Sequence, residues 1–120
     1  MVEPTKVLEE YKKVITFLSQ SDEAHRFFKP LIGKKYAVLI QEELAGGIEF
    51  DQNGKVSWMD PDQAQGASPV DWDSWDTLYD VAVTGNLSGN VAAMQGKMKI
   101  EATMVETMGF AAGFALYHKR

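Results

Sequence analysis

The chain contains no cysteine, which excludes a disulfide framework, a thiol nucleophile and a thiolate metal site. Histidine is nearly as scarce. His25 and His118 are the only imidazoles, and neither has a recognisable nucleophile nearby in sequence, so spacing yields no catalytic triad. Clustered basic residues are missing too. The net charge is -5 and the 12 lysines and arginines are scattered, whereas counterion-release binding needs them gathered, so no nucleic-acid partner is expected. No apolar run reaches the ~20 residues of a membrane span. The most apolar region, Met104 to Tyr117, is shorter and carries Glu106 and Thr107. The opening "MVEPTKVLEEYKK" lacks the basic-then-apolar pattern of a secretory leader. The expectation is a soluble, cytoplasmic protein forming one domain over residues 1–120, with a single two-layer core.

Two motif readings fail on spacing. Six aspartates lie between Asp60 and Asp80, but counting an EF-hand loop from Asp71 puts Trp75 at the fifth place and Asp76 at the sixth, where glycine is required. N-capping and solvation account for these carboxylates, and no metal is expected. Gly89 to Lys97 has six residues between Gly89 and Gly96 and Met98 after the lysine, which does not fit a phosphate loop. No cofactor and no enzymatic activity are expected.

What is present is patterning. Val7, Leu8, Tyr11, Val14, Ile15 and Leu18 recur at helical spacing after Pro4, predicting an amphipathic helix of roughly four turns. Ser21 caps a short second helix through Phe28, stopped by Pro30 and Gly33. Lys35 to Leu44 reads as one central strand covered in part on both faces. Ile48 and Phe50, then Val56 and Trp58, alternate around Asn53–Gly54 and predict a hairpin with a two-residue turn. A polar loop over 60–66 precedes a fourth strand at Val70 and Trp72. Helix resumes at Asp73 or Ser74 and closes at Gly85; Ser88 caps another short helix ending at Gly96. Lys97 to Glu101 alternates as a half-buried strand, and the nearly charge-free "MVETMGFAAGFALY" follows as a last helix. This order predicts an α+β fold with an antiparallel-rich sheet covered by helices.

Methionine and aromatic density marks the second half. Met94, Met98, Met104 and Met108 are followed by Phe110, Phe114 and Tyr117 at helical spacing. Soft, unbranched methionine lines surfaces that accept varied apolar shapes. Val105, Ala112 and Leu116 occupy a different side of the last helix from Phe110 and Phe114, so the helix has two apolar faces and needs a second partner: a lipid pocket, another subunit or a membrane surface. Gly109 and Gly113 allow another helix or a ligand to approach closely.

The stretch "TGNLSGNVAAMQGKMKIEATM" resembles the most recognisable segment of the sterol carrier protein type-two family. The matches are Thr84, Gly85, Leu87, Ala92 or Ala93, Gln95, Gly96, Lys97, Lys99 and Ile100. The preceding order of elements fits as well. The chain departs from the family's pattern at "GASPVDWD", where the family often begins its fourth strand with Asp, and at Ala102, where it usually has Gly. The resemblance implies a five-stranded sheet covered by helices, with an apolar tunnel between the sheet and the C-terminal helices. It implies binding of sterols, fatty acids or fatty acyl-CoA without chemical transformation. The chain ends "HKR" and not with a peroxisomal tripeptide, so a free-standing cytoplasmic form is expected.

The reading is thus a non-enzymatic binder or carrier of a lipid, sterol or fatty acyl chain. Its expected wall is Ile48, Phe50, Trp58, Trp75, Leu78, Met94, Met98, Ile100, Met104, Met108, Phe110 and Phe114, with Gln95 as a polar contact to the ligand head group or as the closure of its own helix. Lys97 and Lys99 face water, within reach of head groups in a transient membrane contact. The alternative is an interaction module in which the apolar C-terminal helix forms a homodimer or docks a lipid-metabolising enzyme.

Overall fold

A computed structural model describes residues 2–120. The first helix, α1 (Pro4–Ser19), buries Val7, Tyr11, Val14, Ile15 and Leu18 along one stripe, as its periodicity requires. Helix α2 (Asp22–Phe27) starts where the Ser21 hydroxyl accepts the Ala24 N–H at 3.1 Å. A 3-10 turn over Lys29–Leu31 then leads into the sheet.

The sheet has five strands in the order β3-β2-β1-β4-β5. They are β1 (Lys35–Ile40), β2 (Glu43–Phe50), β3 (Val56–Met59), β4 (Ser68–Trp72) and β5 (Met98–Ile100). Three pairings are antiparallel and one, β1 with β4, is parallel. The expected single strand over 35–44 is therefore two. Gln41 and Glu42 both take positive φ, 52° and 70°, which turns the chain back on itself. That conformation is unusual for residues with a Cβ, and the end of β4 holds it. The Gln41 N–H donates to the Trp72 carbonyl at 2.8 Å and the Glu42 N–H to Asp71 Oδ1 at 3.1 Å.

The β2–β3 connection also differs from its expectation. Phe50 pairs with Val56, leaving a loop of residues 51–55 in which only Gly54 has positive φ. Asp51 organises it by accepting the N–H groups of Asn53 at 2.8 Å and Lys55 at 2.9 Å. These bonds hold the Asp51 carboxyl below its ordinary range. The expected polar loop at 60–66 contains a short helix, α3 (Pro61–Ala64), stabilised where the Asp60 N–H donates to Gln63 Oε1 at 3.2 Å. Buried Ala64 covers part of the sheet face that carries Ala37, Gly47 and Met59.

The opposite face presents Tyr36, Val38, Ile48, Phe50, Val70, Trp72, Met98 and Ile100 to the main core. Helix α4 (Trp75–Leu78) starts at Ser74, whose hydroxyl accepts the Thr77 N–H at 3.1 Å. It then widens into a π turn over Tyr79–Thr84. Helix α5 (Gly89–Met94) starts at Ser88. The last helix, α6 (Met104–His118), opens with a capping box. The Glu106 N–H donates to Thr103 Oγ1 at 3.2 Å, and the Thr103 N–H donates to Glu106 Oε1 at 2.8 Å. Among the described residues no helix is long and apolar enough to cross a membrane.

Candidate functional site: an apolar pocket between sheet and last helix

Which side of α6 faces inward is set by its two glycines. A Cβ at Gly109 would stand 2.8 Å from the Phe27 carbonyl oxygen, and one at Gly113 would overlap the buried Phe28 ring. Both glycines therefore seat α6 on α2 within the same chain. They belong to the buried face of α6 that packs against α2 and the 3-10 turn, while Tyr117 further along meets Phe17 of α1 at 5.4 Å between ring centroids. Glu106 is fixed there by Lys34, whose Nζ lies 2.6 Å from Glu106 Oε2. This ion pair, followed by the Thr103 N–H, pulls the Glu106 carboxyl below its ordinary value.

That seating turns Phe110 and Phe114 toward the sheet. Phe110 meets Tyr36 at 5.0 Å and Phe50 at 5.6 Å between ring centroids, and Phe114 stacks on Tyr11 at 6.4 Å. Phe28 closes the cluster against Phe50 at 4.9 Å. Aromatic rings thus pack together over Tyr36 and Phe50. Over Val38, Val70 and the strands beyond, the residues opposite include several small ones, and the space is not filled.

The result is a pocket of about 290 Å³. The sheet supplies Val38, Ile48, Val70, Trp72, Met98 and Ile100; α6 supplies Thr107, Phe110, Ala111, Phe114, Ala115 and His118. The π turn and the loop after it complete the wall with Val81, Ala82, Gly85, Leu87, Ser88, Gly89 and Asn90, and α1 adds Tyr11. Gly85 ends the π turn at φ 73°, and a Cβ there would strike the His118 ring. Glycine is thus needed twice over at that position, for the turn and for the close approach.

No Lys, Arg, Asp or Glu is among the lining residues. The wall's hydroxyl and imidazole groups at Ser88, Thr107 and His118 are engaged with backbone. Ser88 Oγ accepts the Val91 N–H, Thr107 Oγ1 donates to the Thr103 carbonyl, and His118 Nε2 lies 3.0 Å from the Ala82 carbonyl oxygen.

Of the thirteen side chains expected at a wall, Ile48, Met98, Ile100, Phe110 and Phe114 meet around this pocket. Phe50 and Leu78 are buried in the core beside it. Trp58 is half-buried on β3 against Tyr11, and Trp75 is half-buried at the start of α4. Gln95 ends α5 in an exposed position. Met94, Met104 and Met108 point to solvent, at 86%, 78% and 64% exposure. Helical geometry places Met104, Met108 and exposed Val105 on an arc of α6 that continues from its pocket-facing residues Ala111 and Ala115. The lining residues that sequence reasoning missed include Tyr11 of α1, the sheet side chains Tyr36, Val38, Val70 and Trp72, and the small residues at 82–89. The signal for Gly85, Ser88 and Gly89 was in view, within the most recognisable segment of the chain.

No protein-family model matches the sequence, and no curated protein matches it. Among solved structures, the chain is similar to the solution structure of the sterol carrier protein domain 2 of Helicoverpa armigera. The TM-score is 0.61 at 16% sequence identity, over 92% of this chain and 90% of that chain. The fold is that of a sterol carrier protein domain. The likeness extends along nearly the whole of both chains. Within this sterol-carrier-protein-like fold the pocket lies between the sheet and the last helix.

Proposed function

We propose that this protein binds and carries an apolar small molecule, a lipid, sterol or fatty acyl chain, without transforming it. The observation that carries the reading is the hollow itself. A domain of this size closes its core around side chains packed to crystal-like density, and here small residues leave about 290 Å³ beneath an aromatic roof. That volume sits at the lower edge of ligand pockets, which begin at roughly 300 Å³. Each methylene withdrawn from water contributes about 0.8 kcal/mol, so affinity comes from buried area and selectivity among chains is low. The likeness of the fold to a sterol carrier protein domain supports the same reading, as does the engagement of Ser88, Thr107 and His118 with backbone. In this reading the protein works in the cytoplasm. The exposed arc of Met104, Val105 and Met108 beside the pocket meets a membrane surface during loading.

The test is uptake of prodan, a neutral fluorescent ketone whose emission shifts to the blue in apolar surroundings. Wild-type protein is expected to bind it saturably. Val38→Phe projects a larger ring from the middle of β1 into the hollow and is expected to abolish uptake. Filling space costs little stability, whereas the same change in a solid core costs about 1–3 kcal/mol. Unaltered uptake by a folded Val38→Phe protein overturns the reading. The same exposed arc supports a second reading, a homodimer or docking module. Native mass spectrometry separates the two: a co-purified lipid mass supports the carrier, a doubled protein mass the module.

A further inference from the structure

We infer that the pocket selects an uncharged ligand bearing a hydrogen-bond-accepting oxygen, contacted by the Trp72 N–H, over a carboxylate of the same chain length. The inference rests on the apolar-binder reading above and names the ligand class for that site. Tyr11, Tyr36 and Trp72 line the pocket and are 4%, 3% and 7% exposed. Neither tyrosine hydroxyl makes a hydrogen bond to another described residue, and the buried Trp72 Nε1–H has no protein acceptor. Buried polar groups are nearly always paired. Ser88, Thr107 and His118 are all satisfied by backbone. The Trp72 N–H is therefore the one enclosed side-chain polar atom left without a partner among the described residues, while the two tyrosine hydroxyls stand elsewhere along the same wall. Tyr36 stands beside Ser68 at one end of the β1–β4 pairing, and Trp72 lies four residues further along β4, about 13 Å away at strand spacing.

The charge around the pocket narrows the class further. With no Lys or Arg among the lining residues, a carboxylate inside would be desolvated without a counterion. Lys34 is committed to Glu106 at 2.6 Å. Burial, followed by the negative charge of Glu106, pushes the Tyr36 hydroxyl up to about 12, so this end of the pocket already resists a further anion. A neutral alcohol or ester oxygen meets none of these penalties and supplies the acceptor that the Trp72 N–H lacks.

The experiment is displacement of prodan by decan-1-ol, 1-chlorodecane and decanoate near neutral pH, with the affinity of prodan measured afresh for each variant. Decan-1-ol is expected to bind about tenfold tighter than decanoate. Trp72→Phe, which keeps an aromatic ring, is expected to weaken decan-1-ol by roughly three- to tenfold, whereas Tyr36→Phe, about 13 Å away at strand spacing, is expected to leave it unchanged. Both should leave 1-chlorodecane, which offers no good acceptor, unchanged. Decanoate binding as tightly as the alcohol overturns the inference, and so does a Trp72→Phe change that weakens alcohol and chloroalkane equally or leaves both unaltered. In either case the apolar pocket survives as a binding site. If prodan and all three chains fail to bind, the pocket reading itself is lost and this inference with it.

Discussion

At the scale of single residues, the position of the last helix depends on two glycines and one carboxylate. Gly109 and Gly113 read in sequence as a contact for another helix or a ligand. They are consumed inside the chain, where they lower α6 onto Phe27 and Phe28. Spacing shows that such a stripe approaches something closely, and only the folded chain shows what. Glu106 closes the capping box and pairs with Lys34, so its carboxyl is held below its ordinary value of 4.5. The stabilisation is complete above 4.5. As pH falls, the unfolded chain takes up its proton first, and the contribution is lost as pH passes through the lower folded value. Thermal melts across acid pH are expected to show wild-type stability falling below 4.5, with Glu106→Gln less stable near neutrality and flatter on acidification. A variant whose melting temperature tracks wild type at every pH contradicts this role.

At the scale of elements, what was legible in the sequence was local. The stripe of α1 and the hydroxyl caps at Ser21, Ser74 and Ser88 follow from contacts within a few residues of chain. The Gln41–Glu42 turn was not legible, because its positive φ angles fall on residues with no local preference for them, and β4, some thirty residues later, holds them in place. The parallel β1–β4 pairing was hidden for the same reason. Left-handed backbone costs a residue with a Cβ about 1–2 kcal/mol, and glycine gives back part of that relief through its freedom in the unfolded chain. Glu42→Gly is therefore expected to raise stability by about 0.5 kcal/mol, measured as a higher denaturant midpoint with unchanged slope. A lower midpoint would show that Glu42 is not strained.

For the molecule as a whole, the architecture was legible and the hollow only in outline. Ile48, Met98, Ile100, Phe110 and Phe114 were identifiable because they alternate on strands or repeat on the helix that faces the sheet. Met94, Met104 and Met108 carry the same chemistry but stand on solvent-facing arcs, and the seating of α6 on α2 decides that for the two on α6. Hydrophobicity predicts burial one residue at a time, whereas a cavity is a property of what its neighbours leave unfilled. Small residues such as Ala82, Gly85 and Ala115 shape it as much as large ones do. The methionines supply a direct probe of whether that space takes a ligand. With methionine methyl groups labelled for NMR, addition of decan-1-ol is expected to shift the Met98 methyl saturably. Met59, on the opposite sheet face, and solvent-exposed Met94 should stay in place. A Met98 signal that does not move, or shifts confined to Met104 and Met108 on the surface of α6, contradicts a binding site between the sheet and the last helix.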